Sequence, residues 1–256
     1  LCPAGLPEMG APGMKRTIKA TVAYDGTNYQ GFQRQKNGVG VQQVLEKALT
    51  EVLKEPILIK AAGRTDAGVH ALGQVISFAT ESRIPPENYR RALEPHLPPD
   101  IAIREAEVVR DDFHARFDAV DKTYQYKIYY SPLPDPTQRN TTWEIREKLD
   151  VEAMNQAAAL LLGKHDFTSF KNQGSQDTSP VRTLTDARWV QDGELYTFTI
   201  TGDGFLYRMV RNIVGCLVRV GTGQWDKTDF AQVLAARNRK KAGMAAPPQG
   251  LYLMHV

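Results

Sequence analysis

The apolar residues of this chain change period in a set order (strand, helix, strand, strand, helix, strand) and run through that order twice. In the first round, residues 17–24 alternate with Ile18, Ala20, Val22 and Tyr24 on one side, the period of a half-buried strand. Residues 41–53 carry Val41, Val44, Leu45, Ala48, Leu49, Val52 and Leu53 at helical spacing, and Pro56 closes that helix. Residues 57–61 and 74–79 read as strands, Pro85-Pro86 opens a helix to about Leu97, and residues 101–109 read as a strand. The second round opens with a strand at 123–130, followed by a helix that Asp150 caps and that runs through Leu162 to Gly163. Residues 184–190 and 195–201 form a hairpin turned at Asp192-Gly193. A long helix over 205–220, a shorter one over 226–236 and a strand over 251–255 complete it.

A β-α-β-β-α-β order met twice predicts an α+β fold of two ferredoxin-like halves, with antiparallel sheets side by side and a cleft between them. The expected limits are 14–112 and 113–256, joined near 110–122, and 256 residues suffice for two such cores. Residues 1–13 hold Pro3, Pro7, Pro12 and three glycines and read as a flexible extension. They lack the basic-then-apolar layout of a secretory leader, and no apolar run reaches the ~18 residues of a membrane span. Cys2 and Cys216 make no disulfide framework, and neither they nor the five histidines stand at metal-ligand spacing. A reducing cytoplasm fits. The net charge of +3 permits a polyanionic partner without demanding one.

Against this scaffold the stretch Ala62-Gly63-Arg64-Thr65-Asp66-Ala67-Gly68-Val69-His70-Ala71 stands out, with one carboxylate, Asp66, between two glycines just after a strand. Glycines there let the backbone turn sharply and let a substrate approach. The same residues also suit a tight loop in which Asp66 only turns the chain. Residues 24–35 mix amides, aromatics and Arg34 in a glycine-punctuated loop, either an RNA-reading surface or a solvated one. Phe113-His114-Ala115-Arg116-Phe117 sets a basic residue between rings at the expected junction, either for a ligand or as two core aromatics around a surface arginine. Tyr124 and Tyr126 share one strand face, to stack on a base or to fill a core. In the long helix Arg208, Arg211, Gly215 and Arg219 share a face. Arg211 there calls for an anionic partner, structural or catalytic. The run Arg237-Asn238-Arg239-Lys240-Lys241 is a solvated face or a phosphate contact.

Taken together, the chain resembles the TruA family of tRNA pseudouridine synthases from Lys15 to Val256. The resemblance is carried by Tyr24-Asp25-Gly26-Thr27, the Gly63-to-Ala71 stretch, Phe113-His114-Ala115-Arg116-Phe117, Lys122-Thr123-Tyr124-Gln125-Tyr126, Met209-Val210-Arg211-Asn212-Ile213-Val214-Gly215 and Ala246-Pro247-Pro248-Gln249-Gly250-Leu251. It implies a cytoplasmic homodimer that isomerises uridine to pseudouridine at positions 38 to 40 of the tRNA anticodon arm, without metal or organic cofactor. It further implies that Asp66 is the nucleophile, that Arg211 is its ion-pair partner, and that Tyr124 packs on the target base and acts on its proton. Leu251 would line the base pocket, Arg64 would hold the flipped nucleotide's place, and Arg116, with Phe113, His114, Ala115 and Phe117 around it, would contact RNA. A catalytically silent RNA-binding module is the alternative, and a small-molecule enzyme using Asp66 as a general base is a third reading. A pure binder has no need of a buried carboxylate.

Overall fold

The computed structural model describes residues 15–174 and 179–256, so the extension expected at residues 1–13 lies outside the described residues. In the first half the alternating strand is β1 (Arg16–Tyr24) and the amphipathic helix is α1 (Val41–Leu53). The helix ends where Lys54 turns left-handed (φ 60°), two residues before Pro56. β2 (Lys60–Ala61) is only two residues long, whereas the apolar run suggested five. Ile57 and Ile59 are buried without being in a ladder, so hydrophobicity there serves the core and not the sheet. β3 (His70–Thr80) is longer than the 74–79 expected and is buried at nearly every position. That is the burial of a central strand covered on both faces, which erases the period-two signal.

The helix expected after Pro85 breaks into three short pieces: a 3-10 turn at Pro86–Asn88, α2 (Tyr89–Leu93) and a second 3-10 turn at Glu94–His96. β4 (Ile101–Val109) then pairs antiparallel with β1. In the second half β5 (Lys122–Tyr130) is followed by a short β6 (Trp143–Ile145) parallel to it. α3 (Val151–Ala158) begins at Asp150, whose carboxylate accepts from the Ala153 amide, and finishes in a 3-10 turn at Ala159–Leu161. β7 (Gly163–Asp166) pairs with β8 (Val181–Asp192), which pairs with β9 (Leu195–Gly202). The hairpin turn is Gly193-Glu194, one residue later than the Asp192-Gly193 expected, because Gly193 takes the positive φ (58°) and Asp192 pairs with Leu195.

The long helix, α4 (Met209–Gly221), starts four residues later than its apolar periodicity suggested. Phe205 and Leu206 are partly or fully buried in the approach to the helix, which mimics a helical stripe. α5 (Lys227–Ala236) is capped by Asp226, and β10 (Leu251–His255) ends the chain. α3, α4 and α5 pack on one another, and α1 contacts α2.

The strands do not form two adjacent sheets. They make one ten-stranded sheet in the order β4-β1-β3-β10-β5-β9-β8-β7, with β2 on β3 and β6 on β5. The join is β10, parallel to β3 through Tyr252 and Leu253 and antiparallel to β5 through Leu251 to His255. Apart from the parallel pairings of β10 with β3 and β5 with β6, the ladders are antiparallel. The last strand of the chain therefore stands at the centre of the sheet. Among the described residues, no helix is long and apolar enough to cross a membrane.

Candidate active site

The loop between β2 and β3 carries Asp66, and neighbouring elements fasten it from below. The Tyr24 hydroxyl shares a buried 2.8 Å hydrogen bond with the Thr65 hydroxyl, and the Phe32 amide donates to the Thr65 carbonyl. Burial pushes the Tyr24 hydroxyl up to about 12, so it keeps its proton in that bond. The Gln74 side chain donates to the Gly63 carbonyl, and Lys122 Nζ donates to the Ala62 carbonyl at 2.7 Å. Gly68 takes φ +78°, and Gly31 lies so close beneath that a β-carbon on it would sit 2.6 Å from the Thr65 carbonyl oxygen. His70, four residues after Asp66, is buried, accepts the Gly26 amide at Nδ1 and stacks on Tyr252. These contacts leave the Asp66 carboxylate at a set position on the wall of a cavity of about 710 Å³.

Arg211 reaches Asp66 from α4, with Nη1 donating to Oδ2 at 2.7 Å. Its Nε donates to the Ala246 carbonyl at 2.7 Å, and the Ala246 amide donates back to the Arg211 carbonyl. The guanidinium is buried and bonded on two sides, to the Ala246 carbonyl and to the carboxylate. Gly215, one turn further along, makes this possible, since a β-carbon there would lie 2.2 Å from the Met244 carbonyl oxygen. What approaches that glycine is the chain's own 244–246 segment. A second arginine, Arg208, lies with Nε 3.7 Å from the same Asp66 Oδ2. It is the N-cap of α4, with φ 60°, and not a helical residue sharing a face with Arg211 as the spacing suggested.

Tyr124 and Tyr126 are both buried, and they differ in use. Tyr126 donates its hydroxyl to the Pro247 carbonyl and belongs to the core. Tyr124 lines the cavity with its ring edge-on to Phe205 at 5.1 Å, and burial pushes its hydroxyl well above the usual range. Arg64, His114, Arg116 and Leu251 also line the cavity. Phe113, Ala115 and Phe117 do not. Ala115 is buried against Ala62 and Val75 with Phe113 packed on that cluster, and its amide donates to the Ser77 hydroxyl. Phe117 is exposed, with its ring 4.3 Å from that of His114. Ring, imidazole and arginine thus stand outside while the alanine between them anchors the turn.

Gln30, Gln33 and Gln35 from the 24–35 loop, all exposed, line the cavity as well. The 237–241 run is not uniformly solvated. Arg239 donates to Asn172, Asn212 and the Gly243 carbonyl, and Arg237 pairs with Asp166, so both arginines brace the fold behind α4. Sequence reasoning gave no role to Tyr24 and Thr65, whose hydrogen bond seats the loop, or to Arg208. Tyr24 and Thr65 stand within the motifs and Arg208 beside one, but no local pattern shows that they meet the loop. Chemically, the cavity lining offers one carboxylate with Lys60, Arg64, Arg116, Lys122, Arg208 and Arg211, and the rings of Phe32, Tyr124, Phe205 and Tyr207. Such a lining suits a polyanion that presents one planar ring to the carboxylate.

Comparison with known proteins agrees with this chemistry. A family model described as tRNA pseudouridine synthase matches residues 20–118 and 157–256. A tRNA pseudouridine synthase A of Acetivibrio thermocellus is 46% identical over 241 residues, covering 94% of this chain and 99% of its own. Proteins of the same name from Methylacidiphilum infernorum and a Thermoanaerobacter species are 46% and 45% identical, covering 93% and 94% of this chain and 94% and 99% of their own. With the matched segments including both the Asp66 loop and the Arg211 helix, the chain belongs to the tRNA pseudouridine synthase family.

Proposed function

We propose that this protein isomerises uridine to pseudouridine in the anticodon arm of tRNA, at positions 38 to 40, with Asp66 as the nucleophile. The carrying observation is the Asp66 carboxylate, held at 2.7 Å by a buried arginine in a cavity that also presents Tyr124. The cavity volume falls in the ~300–1,000 Å³ range of ligand clefts, so it admits one nucleotide removed from its stack. Extruding that base costs a few kcal/mol, and the arginines on the rim are suited to return it through phosphate contacts.

In the reaction the C1′–N1 bond breaks, the uracil turns while bound, and a C1′–C5 bond forms as C5 loses its proton and N1 gains one. Atoms and electrons balance within the nucleotide. Asp66 divides the change into two steps by adding to the uracil ring or capturing C1′, and both routes need the carboxylate ionised. Arg211 holds that carboxylate in position through its 2.7 Å bond to Oδ2. Tyr124 meets the base as a neutral phenol, offering a flat surface and a hydrogen-bonding group, and we assign it a relay in which its oxygen takes the C5 proton as its own proton passes on toward N1. Leu251 bounds the pocket, Arg64 occupies the space the base vacates, and Arg116 with its neighbours His114 and Phe117 contacts the backbone.

We also divide the chain into ferredoxin-like units at 14–112 and 113–256. The spatial orders β4-β1-β3-β2 and β10-β5-β9-β8 support this, each reading fourth, first, third, second for the paired strands. A homodimer working on cytoplasmic tRNA completes the reading, and light scattering that returns a monomer would remove the dimer from it. The central test is to incubate unmodified tRNA transcripts with the protein and map pseudouridine. Product at 38 to 40 is expected. Binding without product would instead favour the silent RNA-binding module.

A further inference from the structure

Arg208 is the one described cavity-lining residue, glycines aside, that is held in the left-handed region, at φ 60° and ψ 15°. Side chains avoid that region, and a residue persists there only when its surroundings fix it. The chain on either side does so here. Leu206 and Met209 are buried and joined by the Met209 amide to the Leu206 carbonyl, while the Arg208 carbonyl accepts the Asn212 amide at the start of α4. The backbone therefore aims the Arg208 side chain into the cavity mouth whatever it binds there. Its guanidinium lies 5.2 Å from the centre of the Tyr207 ring, which is itself exposed.

The two arginines on Asp66 Oδ2 differ in kind. Arg211 is 10% exposed and bonded on two sides, while Arg208 is 38% exposed and stands 3.7 Å away, beyond hydrogen-bond reach. A buried, bonded cation is a permanent partner of the carboxylate. A half-exposed one held only by charge and by an aromatic face is free to exchange it for a stronger anion. RNA supplies such an anion, since a guanidinium binds a phosphate bidentately.

We infer that Arg208 is an exchangeable clamp: it neutralises Asp66 in the free protein and moves to a phosphate next to the target nucleotide when tRNA binds. The release uncovers the carboxylate while Arg211, bonded to Oδ2 at 2.7 Å, keeps it in place. This inference rests on the proposed tRNA reading of the site.

The test pairs Arg208 with Asp66 in tRNA binding. Arg208→Asn removes the charge, and asparagine tolerates the left-handed backbone; Arg208→Lys restores a point charge. For Arg208→Asn, KM is expected to rise about tenfold with kcat changed less than threefold. The slope of log affinity against log salt should fall by roughly one, and Arg208→Lys should recover that slope. Asp66→Ala frees Arg208, so this variant should bind tRNA a few-fold more tightly, and the gain should vanish in the double variant with Arg208→Asn. An unchanged salt slope in Arg208→Asn, or strictly additive effects in the double variant, would overturn the exchange. Binding, slope and coupling are read without turnover. A wild-type protein that binds tRNA but makes no pseudouridine therefore refutes the proposed reaction and leaves the Arg208 result to be judged separately.

Discussion

Arg211 gives its guanidinium to the Asp66 carboxylate and the Ala246 carbonyl, and it is buried while doing so. Arg211→Ala would leave an acceptor without its donor and a carboxylate with only the more distant Arg208. A loss of about 2–4 kcal/mol in denaturant unfolding is expected, together with loss of pseudouridine formation. Arg211→Lys should not rescue it, because a single ammonium cannot serve both acceptors in the same geometry. Asp66→Ala should abolish product, with tRNA affinity kept within a few-fold, as gel-shift titration would show. Equal loss of both would make Asp66 structural. Cys216 is buried in α4 and donates to the Ala242 carbonyl, and burial pushes its thiol up to about 12. With the thiolate suppressed well beyond neutral pH, Cys216 in a Cys2→Ser variant should resist alkylation at pH 8 until the protein unfolds. Mass spectrometry of native and denatured samples reads this directly.

At the scale of elements, α4 is placed by a glycine. Its apolar stripe from Met209 through Leu217 was legible in the sequence, and so was the outward reach of Arg211 from it. The segment that needed Gly215 was not, since residues 244–246 carry no period that ties them to α4. Gly215→Ala would drive a β-carbon against the Met244 carbonyl. The expected cost is about 1–3 kcal/mol, with a drop in turnover as Ala246 shifts off Arg211. Thermal unfolding beside the tRNA assay would separate the two effects. The errors at this scale share one cause. Buried or partly buried residues outside a hydrogen-bonded element, such as Ile57 and Ile59 or Phe205 and Leu206, extend an apolar pattern past it. Pattern reports burial, and burial is wider than secondary structure.

Across the whole molecule, β10 joins what the sequence presents as two halves. Leu253 sits fully buried in that strand, paired to Ala71 of β3 on one side and Tyr124 of β5 on the other. Leu253→Ala should therefore cost about 2–5 kcal/mol and loosen both halves together. Hydrogen exchange in β1 and in β9 should accelerate in parallel, and protection lost on one side alone would show that the halves fold independently. The sequence by itself determined the period and order of the elements, the turn chemistry around Asp66 and the motifs that mark the family, because these depend on residues near one another along the chain. Only the tertiary structure decided that the two expected sheets are one, that Tyr126 is core while Tyr124 faces the cavity, and that Arg208 shares the carboxylate with Arg211. The Asp66–Arg211 contact spans 145 residues of sequence and closes to 2.7 Å because the loop between β2 and β3 meets the helix α4 there. No local pattern encodes that distance; it is set by how remote surfaces fit together.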